Sequence, residues 1–233
     1  MTPGKTIAVM QPYLLPYLPY FQLIGAVDEF VILDDVNFIN RGWINRNNIL
    51  LGNRSHRITL QLHGASQNRL INEIQVGDNA GKLLGTLRHA YTRAPNFESA
   101  YPVLESTLVQ DEKNLARYLA TALKITCRSL GIDTPLVFSS DIEVSAGASG
   151  QRRILDICRR QGAQRYINPA GGRELYDRAE FSAAGIELFF LQGEPEPYPQ
   201  YTGPFLPGLS VIDAMMFCTP AGMVQRLTQF RLE

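Results

Sequence analysis

The chain has 233 residues, 45 % hydrophobic and 19 % charged, enough apolar material for one core of ordinary globular type. That excludes a disordered chain, which needs low hydrophobicity and a large net charge. Twenty-two Lys and Arg balance 22 Asp and Glu, so the formal net charge is zero and a duplex-DNA binder, which gains affinity by neutralising phosphates, is not expected.

Cys127, Cys158 and Cys218 lie among apolar residues without CxxC spacing and read as reduced core thiols, so the expected compartment is the cytoplasm. The opening Met1–Lys5 leads straight into a strand pattern without the apolar run of a signal peptide. No stretch approaches the roughly 20 apolar residues of a membrane span.

Taken in chain order, Thr6–Met10 is a buried strand that stops at Gln11-Pro12, because proline cannot donate to a ladder. A Pro- and Tyr-rich segment, Pro12–Tyr20, leads into a helix through Phe21, Leu23 and Ile24. Phe30–Leu33 is a second buried strand, closed by Asp34-Asp35. Asn45–Leu51 and Arg54–Leu62 read as a hairpin around Gly52-Asn53, since Ile58, Leu60 and Leu62 alternate with polar residues. Three helices follow, one capped by Asp78 or Asn79 and running to Arg93, one over Phe97–Val109, and one over Glu112–Leu130 ended by Gly131.

Strand and helix then alternate: Leu136–Phe138, a helix over Gln151–Gln161, Tyr166–Asn168, a helix over Glu174–Ala184, and Leu188–Phe190. This predicts an α/β fold, a parallel-sheet core of βαβ units with an antiparallel hairpin, in a single domain over residues 1–233. Residues 72–131 form an inserted helical layer in this reading. Five of the 14 prolines fall between Pro195 and Pro207, marking a long loop of the kind that is often functional. A helical segment over Ser210–Leu227, broken at Pro220, closes the chain.

Ligands of open parallel sheets bind beyond the carboxyl ends of the strands. The residues at those ends are Gln11, Tyr13, Tyr17 and Tyr20; Asp34, Asp35 and Asn37; Ser139, Ser140 and Asp141; Asn168 with Gly171 and Gly172; and Gln192 and Glu194. Adjacent strand residues point to opposite faces, so Asp34 and Asp35 cannot converge while the strand persists. One reading turns a carboxylate into the cleft, to hold a sugar hydroxyl, an amine or a metal. The other caps a turn with one and pairs the second with Arg41 or Arg46.

Arg41 to Asn48 packs two guanidiniums, three amides (Asn45 among them) and the sole tryptophan, Trp43, into eight residues. A planar fork and a stacking face suit a nucleotide or nucleotide sugar; an exposed hairpin lead-in is the plainer alternative. The small residues Ser145–Gly150 lack both the P-loop and the GxGxxG pattern, and a helix cap explains them. Arg173 is an anion anchor or part of a tight turn. The histidines lack metal-ligand spacing, so no metal site is predicted, and no cofactor is indicated.

The run Met10–Ile24, with Asp28–Asp35, Asn37-Phe38, Arg41–Asn47, Tyr166–Asn168, Gly171-Gly172, Tyr176, Phe181, Gly185-Ile186 and Leu209–Asp213, resembles the WbqC-like family. Members occur mostly among bacterial surface-polysaccharide genes, so the resemblance implies a part in O-antigen or related glycan synthesis. Where the usual family pattern has Gly this chain has Pro19. With that Gly the segment is similar to the HxGH signature of HUP-type class I nucleotidylyltransferases and aminoacyl-tRNA synthetases, with Tyr17 and Tyr20 in place of the histidines. A phenol is neutral at pH 7 and supplies no positive charge there.

The expected function is a transferase that modifies a nucleotide-activated amino sugar by acyl, aminoacyl or nucleotidyl transfer. Asp34, Asp35 and Tyr20 are the expected catalytic residues. Gln11, Tyr13, Tyr17, Asn37, Arg41, Trp43, Asn45, Arg46, Asn168, Gly171, Gly172, Tyr201, Ser210 and Asp213 are expected to bind substrate. A non-catalytic sugar-nucleotide-binding or scaffolding protein is the alternative from another class, and a tRNA-dependent transferase would need a contiguous basic face.

Overall fold

β1 (Thr6–Met10) and β2 (Glu29–Ile32) pair in parallel at the centre of a six-stranded sheet and are apolar on both faces, as strands covered on both sides must be. Because side chains alternate, Ile7, Val9 and Val31 enter one core, and Ala8, Phe30 and Ile32 enter the other. The computed structural model describes residues 4–194 and 196–233; residues 1–3 of the expected opening and Pro195 of the proline-rich loop lie outside the described residues.

α1 (Leu18–Gly25) follows β1 and buries Tyr20, Phe21, Leu23 and Ile24. β3 (Arg46–Leu51) and β4 (Arg54–Thr59) form the expected hairpin in register Arg46↔Thr59 to Leu51↔Arg54. Its turn residues Gly52 and Asn53 both have positive φ, 57° and 59°, which matches the twist of a two-residue hairpin. A short pair, β5 (Leu62–His63) with β6 (Gln75–Val76), precedes three helices, α2 (Ala80–Tyr91), α3 (Phe97–Leu108) and α4 (Leu115–Ser129). Asn79 stands at the start of α2, but its side chain bonds Gln61 N and the Thr59 carbonyl and does not cap the helix. Gly131, at φ 72°, ends α4 as expected.

β7 (Leu136–Phe138), α5 (Gly150–Arg160), β8 (Arg165–Pro169), α6 (Arg178–Ala183) and β9 (Glu187–Gly193) supply the alternation expected of βαβ units. The helix expected from Glu174 starts later. Residues 170–175 form a 3-10 turn, and the Asp177 carboxylate accepts from Ala179 N to open α6. α7 (Val211–Phe217) and α8 (Pro220–Leu227) divide near Pro220, and an unforeseen edge strand, β10 (Phe230–Leu232), pairs antiparallel with β9.

The sheet order is β10-β9-β8-β1-β2-β7, with β9, β8, β1, β2 and β7 parallel. The protein is therefore α/β with a mostly parallel sheet, consistent with a HUP-like arrangement. The chain moves outward from β1 to β2 and β7, then returns to place β8 on the other side of β1. That reversal is a topological switch point, where open α/β sheets leave a crevice at the strands' carboxyl ends. α5 and α6 cover one face around Ile157, Cys158 and Phe181; α1, the hairpin, α2–α4 and α7 cover the other.

Candidate functional site

A cavity of about 290 Å³ opens at the carboxyl ends of β8 and β9, beside the switch point. Tyr17, Leu18 and Pro19 form one wall, Pro169–Gly171 and Leu191–Gly193 another, and the proline-rich loop supplies Glu196, Tyr198, Phe205 and Leu209. Arg226 of α8 and Ser210 complete it. The wall is tight: a Cβ on Gly193 would stand 2.9 Å from Pro19 Cγ, so only glycine admits the first turn of α1 here. No side chain caps that turn; Pro19 has no N–H to offer and Tyr20 N donates to the Tyr17 carbonyl at 3.1 Å. Arg226 donates to the carbonyls of Glu196 (2.6 Å) and Pro197 (3.3 Å) and lies over the Tyr198 ring, which holds the loop in place.

Of the expected binding residues, the cavity takes Tyr17, Gly171 and Ser210. Ser210 Oγ donates to the Leu15 carbonyl and accepts from Ile212 N, capping α7. Tyr13 packs against Tyr20 with centroids 5.5 Å apart. Burial first, then the neighbouring Tyr17, pushes its phenol above the ordinary value. Tyr20 is a core residue, 2 % exposed, whose hydroxyl donates to the Gln11 carbonyl and whose pKa burial drives well upward. Asn37 is exposed and its backbone forms an isolated bridge with Leu70.

Asp34 and Asp35 converge because β2 ends at Ile32, one residue short of the expected Leu33, and alternation no longer applies to them. Asp34, 3 % exposed, accepts from Ser140 N (3.0 Å) at one oxygen, which also lies 3.1 Å from Ser139 Oγ, and from Ser140 Oγ (2.7 Å) and Asn72 Nδ2 (3.1 Å) at the other. Both oxygens are thus satisfied. Asp35 bonds Ser139 Oγ and pairs with Arg153 at 2.5 Å. The partner weighed from sequence, Arg41 or Arg46, is replaced by Arg153 because α5 begins beside the end of β2. Asp34 and Ser140 also border a polar groove of about 590 Å³ along β7, with Arg117 and Lys124 opposite.

Asn168 is turned inward, accepting from the Tyr166 hydroxyl and donating to the Pro169 carbonyl, and Gly172 leaves room for its amide. Arg173 pairs with Glu233 of its own chain. Asp213 is fully buried; Tyr91 (2.9 Å), Tyr198 (2.8 Å) and Gln200 (2.5 Å) donate to it. Burial raises its pKa against the lowering effect of those bonds. Tyr201 packs edge-on against Phe217 and donates to the Ala90 carbonyl. These residues anchor the proline-rich loop behind the cavity.

On the hairpin, Asn45 Nδ2 donates to the Leu60 carbonyl and Arg46 Nε to the Gly42 carbonyl, while Trp43 is 44 % exposed beneath Arg57. Arg57, Asn72, Tyr198 and Arg226 were not singled out from sequence. Arg57 alone carried a signal, an outward position opposite Asn48 in the alternating hairpin. Among the described residues no group of three or more His, Cys, Asp or Glu is placed to hold a metal ion, and no helix is long and apolar enough to cross a membrane.

Comparison with known proteins gives the same grouping as the motifs. Uncharacterized protein Rv1507c of Mycobacterium tuberculosis is 28 % identical over 216 residues, covering 91 % of this chain and 93 % of that protein. No solved structure matches the chain significantly. A family model described as the WbqC-like protein family matches residues 11–225, which takes in the cavity walls except Arg226, the Asp34 cluster and the hairpin, and the chain belongs to that family.

Proposed function

We propose that the protein is a transferase acting on a nucleotide-activated amino sugar in bacterial O-antigen or related surface-polysaccharide synthesis, the transferred group being acyl, aminoacyl or nucleotidyl. The observation that carries this reading is the cavity at the switch point, whose charged residues are Glu196 and Arg226. Glu196 suits the ammonium of an amino sugar. In this reading Asp34 and Asp35 brace the ends of β2 and β7, Tyr20 braces α1 against the Gln11 carbonyl, and catalysis comes chiefly from positioning the two substrates.

Calorimetry with UDP- and dTDP-linked amino sugars, followed by turnover assays with acyl donors, tests this. Saturable binding that weakens in Glu196→Gln for the amino sugar, and not for its N-acetylated counterpart, supports the assignment. Absence of binding to every sugar nucleotide sinks it. The second reading, a non-catalytic sugar-nucleotide binder, is favoured by the structural engagement of Asp34, whose two oxygens accept from Ser140 N, Ser140 Oγ and Asn72 Nδ2. It predicts the same binding without turnover.

A further inference from the structure

The outward face of the hairpin concentrates positive charge without a counter-charge. Arg46 pairs across the ladder with Thr59 and Arg57 with Asn48, so the two arginines are diagonal neighbours on one face. Each is fixed through its Nε: Arg46 to the Gly42 carbonyl at 2.7 Å, Arg57 to Asn48 Oδ1 at 3.2 Å. Their terminal nitrogens make no hydrogen bond among the described residues, and no carboxylate there pairs with Arg41, Arg46 or Arg57.

Arg57 lies 5.4 Å from the Trp43 ring centroid. Arg41 holds a left-handed backbone, φ 62°, uncommon for a residue with a side chain. Desolvation, then the charges of Arg57 and Arg41, push Arg46 below its ordinary pKa, as expected of guanidiniums crowded together.

Two guanidiniums held by Nε with both remaining nitrogens open are organised in advance for bidentate contact with phosphate oxygens. The patch also adjoins the cavity. Asn48, which holds Arg57, gives its backbone carbonyl to Ser210 N at 2.8 Å, and Ser210 lines the cavity.

We infer that Arg41, Arg46 and Arg57, with the exposed face of Trp43, form a diphosphate site that holds the nucleoside diphosphate part of the ligand while the sugar reaches into the cavity. The inference rests on the sugar-nucleotide reading above for its ligand class. Arg57 joins the site through the folded hairpin, being distant in sequence from the Arg41–Arg46 run.

Trp43 is the sole tryptophan, so its fluorescence reports on the patch directly. Titration of the whole protein with inorganic pyrophosphate and with UDP should change Trp43 emission saturably. Arg46→Gln and Arg57→Gln should each raise the apparent Kd at least about tenfold, as loss of a charge-assisted pair does. Arg46→Lys should not restore it, because an ammonium cannot make the forked contact. Arg54→Gln, the same charge change at the hairpin turn, should leave it within about twofold.

No saturable change with either probe overturns the inference. So does an equal loss in Arg54→Gln, which would mean bulk charge, or a response to tRNA alone, which would mean a polynucleotide surface. If calorimetry shows amino-sugar nucleotides binding equally to wild type and to Arg46→Gln and Arg57→Gln, the patch falls and the cavity reading stands. If pyrophosphate and UDP respond as expected while no sugar nucleotide binds better than UDP, the patch stands and the cavity reading falls.

Discussion

Ser140 Oγ donates to Asp34 Oδ2 at 2.7 Å, and that bond fastens the end of β7 to the end of β2. Ser139 and Asn72 complete the cluster, so the 3-10 turn between β5 and β6 is tied to the same carboxylate. Asp34→Asn replaces an acceptor pair with one acceptor and one donor facing hydrogen-bond donors. The expected loss is about 1–3 kcal/mol of stability, or roughly 2–4 °C in Tm per kcal/mol for a chain of this size. Calorimetric unfolding checks it. A variant with wild-type Tm and no turnover would instead give Asp34 a direct part in the reaction.

Two glycines of the cavity should behave differently. A Cβ on Gly193 meets Pro19 at 2.9 Å and Gln22 Oε1 at 2.8 Å, whereas one on Gly171 meets nothing within 4 Å. Gly193→Ala should cost about 1–3 kcal/mol through overpacking against α1. Gly171→Ala should fold with unchanged stability and lower ligand affinity, because the methyl projects into free space beside the ligand. Urea unfolding with parallel ligand titration separates the two; equal stability of both variants would contradict the close approach of α1 to β9.

Asp213 predicts a specific pH dependence. Its folded pKa lies above the ordinary 3.8 because the carboxyl is buried. Its contribution to stability is therefore full below the unfolded value and is lost as pH rises through the folded one. Subtracting the Asp213→Asn stability profile from that of wild type should give a difference that declines across this window. The lowered acids Asp156 and Glu233 slope the other way in both proteins and cancel in the difference. A difference that stays flat above about pH 4 would refute the assignment.

Tyr91 links the same carboxylate to the hairpin, accepting from Leu50 N at 3.0 Å while donating to Asp213 at 2.9 Å. Tyr91→Phe leaves a buried backbone donor without its partner and removes one of the bonds to Asp213, with an expected loss of about 1–3 kcal/mol. Chemical denaturation monitored by Trp43 emission measures it. A loss below about 0.5 kcal/mol would mean that the hydroxyl bonds add little to the packing.

Burial pushes the Cys127 and Cys158 thiols up to about 12, and it raises Cys218 as well. Because the thiolate is the reactive form, none of the three should react with a disulfide reagent at pH 8 until the protein unfolds. A thiol that reacts rapidly in the native protein would show that its cover is looser than the structure has it.

Local pattern carried much of the architecture. The apolar runs of β1 and β2, the alternation around Ile58 and the Gly52-Asn53 turn were all legible, because each depends on neighbours within a few residues. β10 was not, since Phe230–Leu232 is a strand only because β9 offers it an edge. The candidate site divided similarly. Arg41, Trp43 and Arg46 stand together in sequence, whereas Arg57 joins them only through the folded hairpin.

Sequence by itself determined the family, the α/β class and the fact that polar residues gather at strand ends. Tertiary structure alone decided which of those residues face a ligand. Asp34, Asn168 and Asp213 look like Tyr17 and Ser210 in a list of polar strand-end and loop residues. The fold surrounds the first three with donors and acceptors and leaves Tyr17 on a cavity wall, where Ser210 stands beside it while capping α7. A buried polar side chain must be hydrogen-bonded, and its partners can lie scores of residues away, as Asp34 and Ser140, or Asp213 and Tyr91, do. Strand order, set by packing both faces of the sheet, brings those partners together, and strand order is not written in any local stretch of the chain.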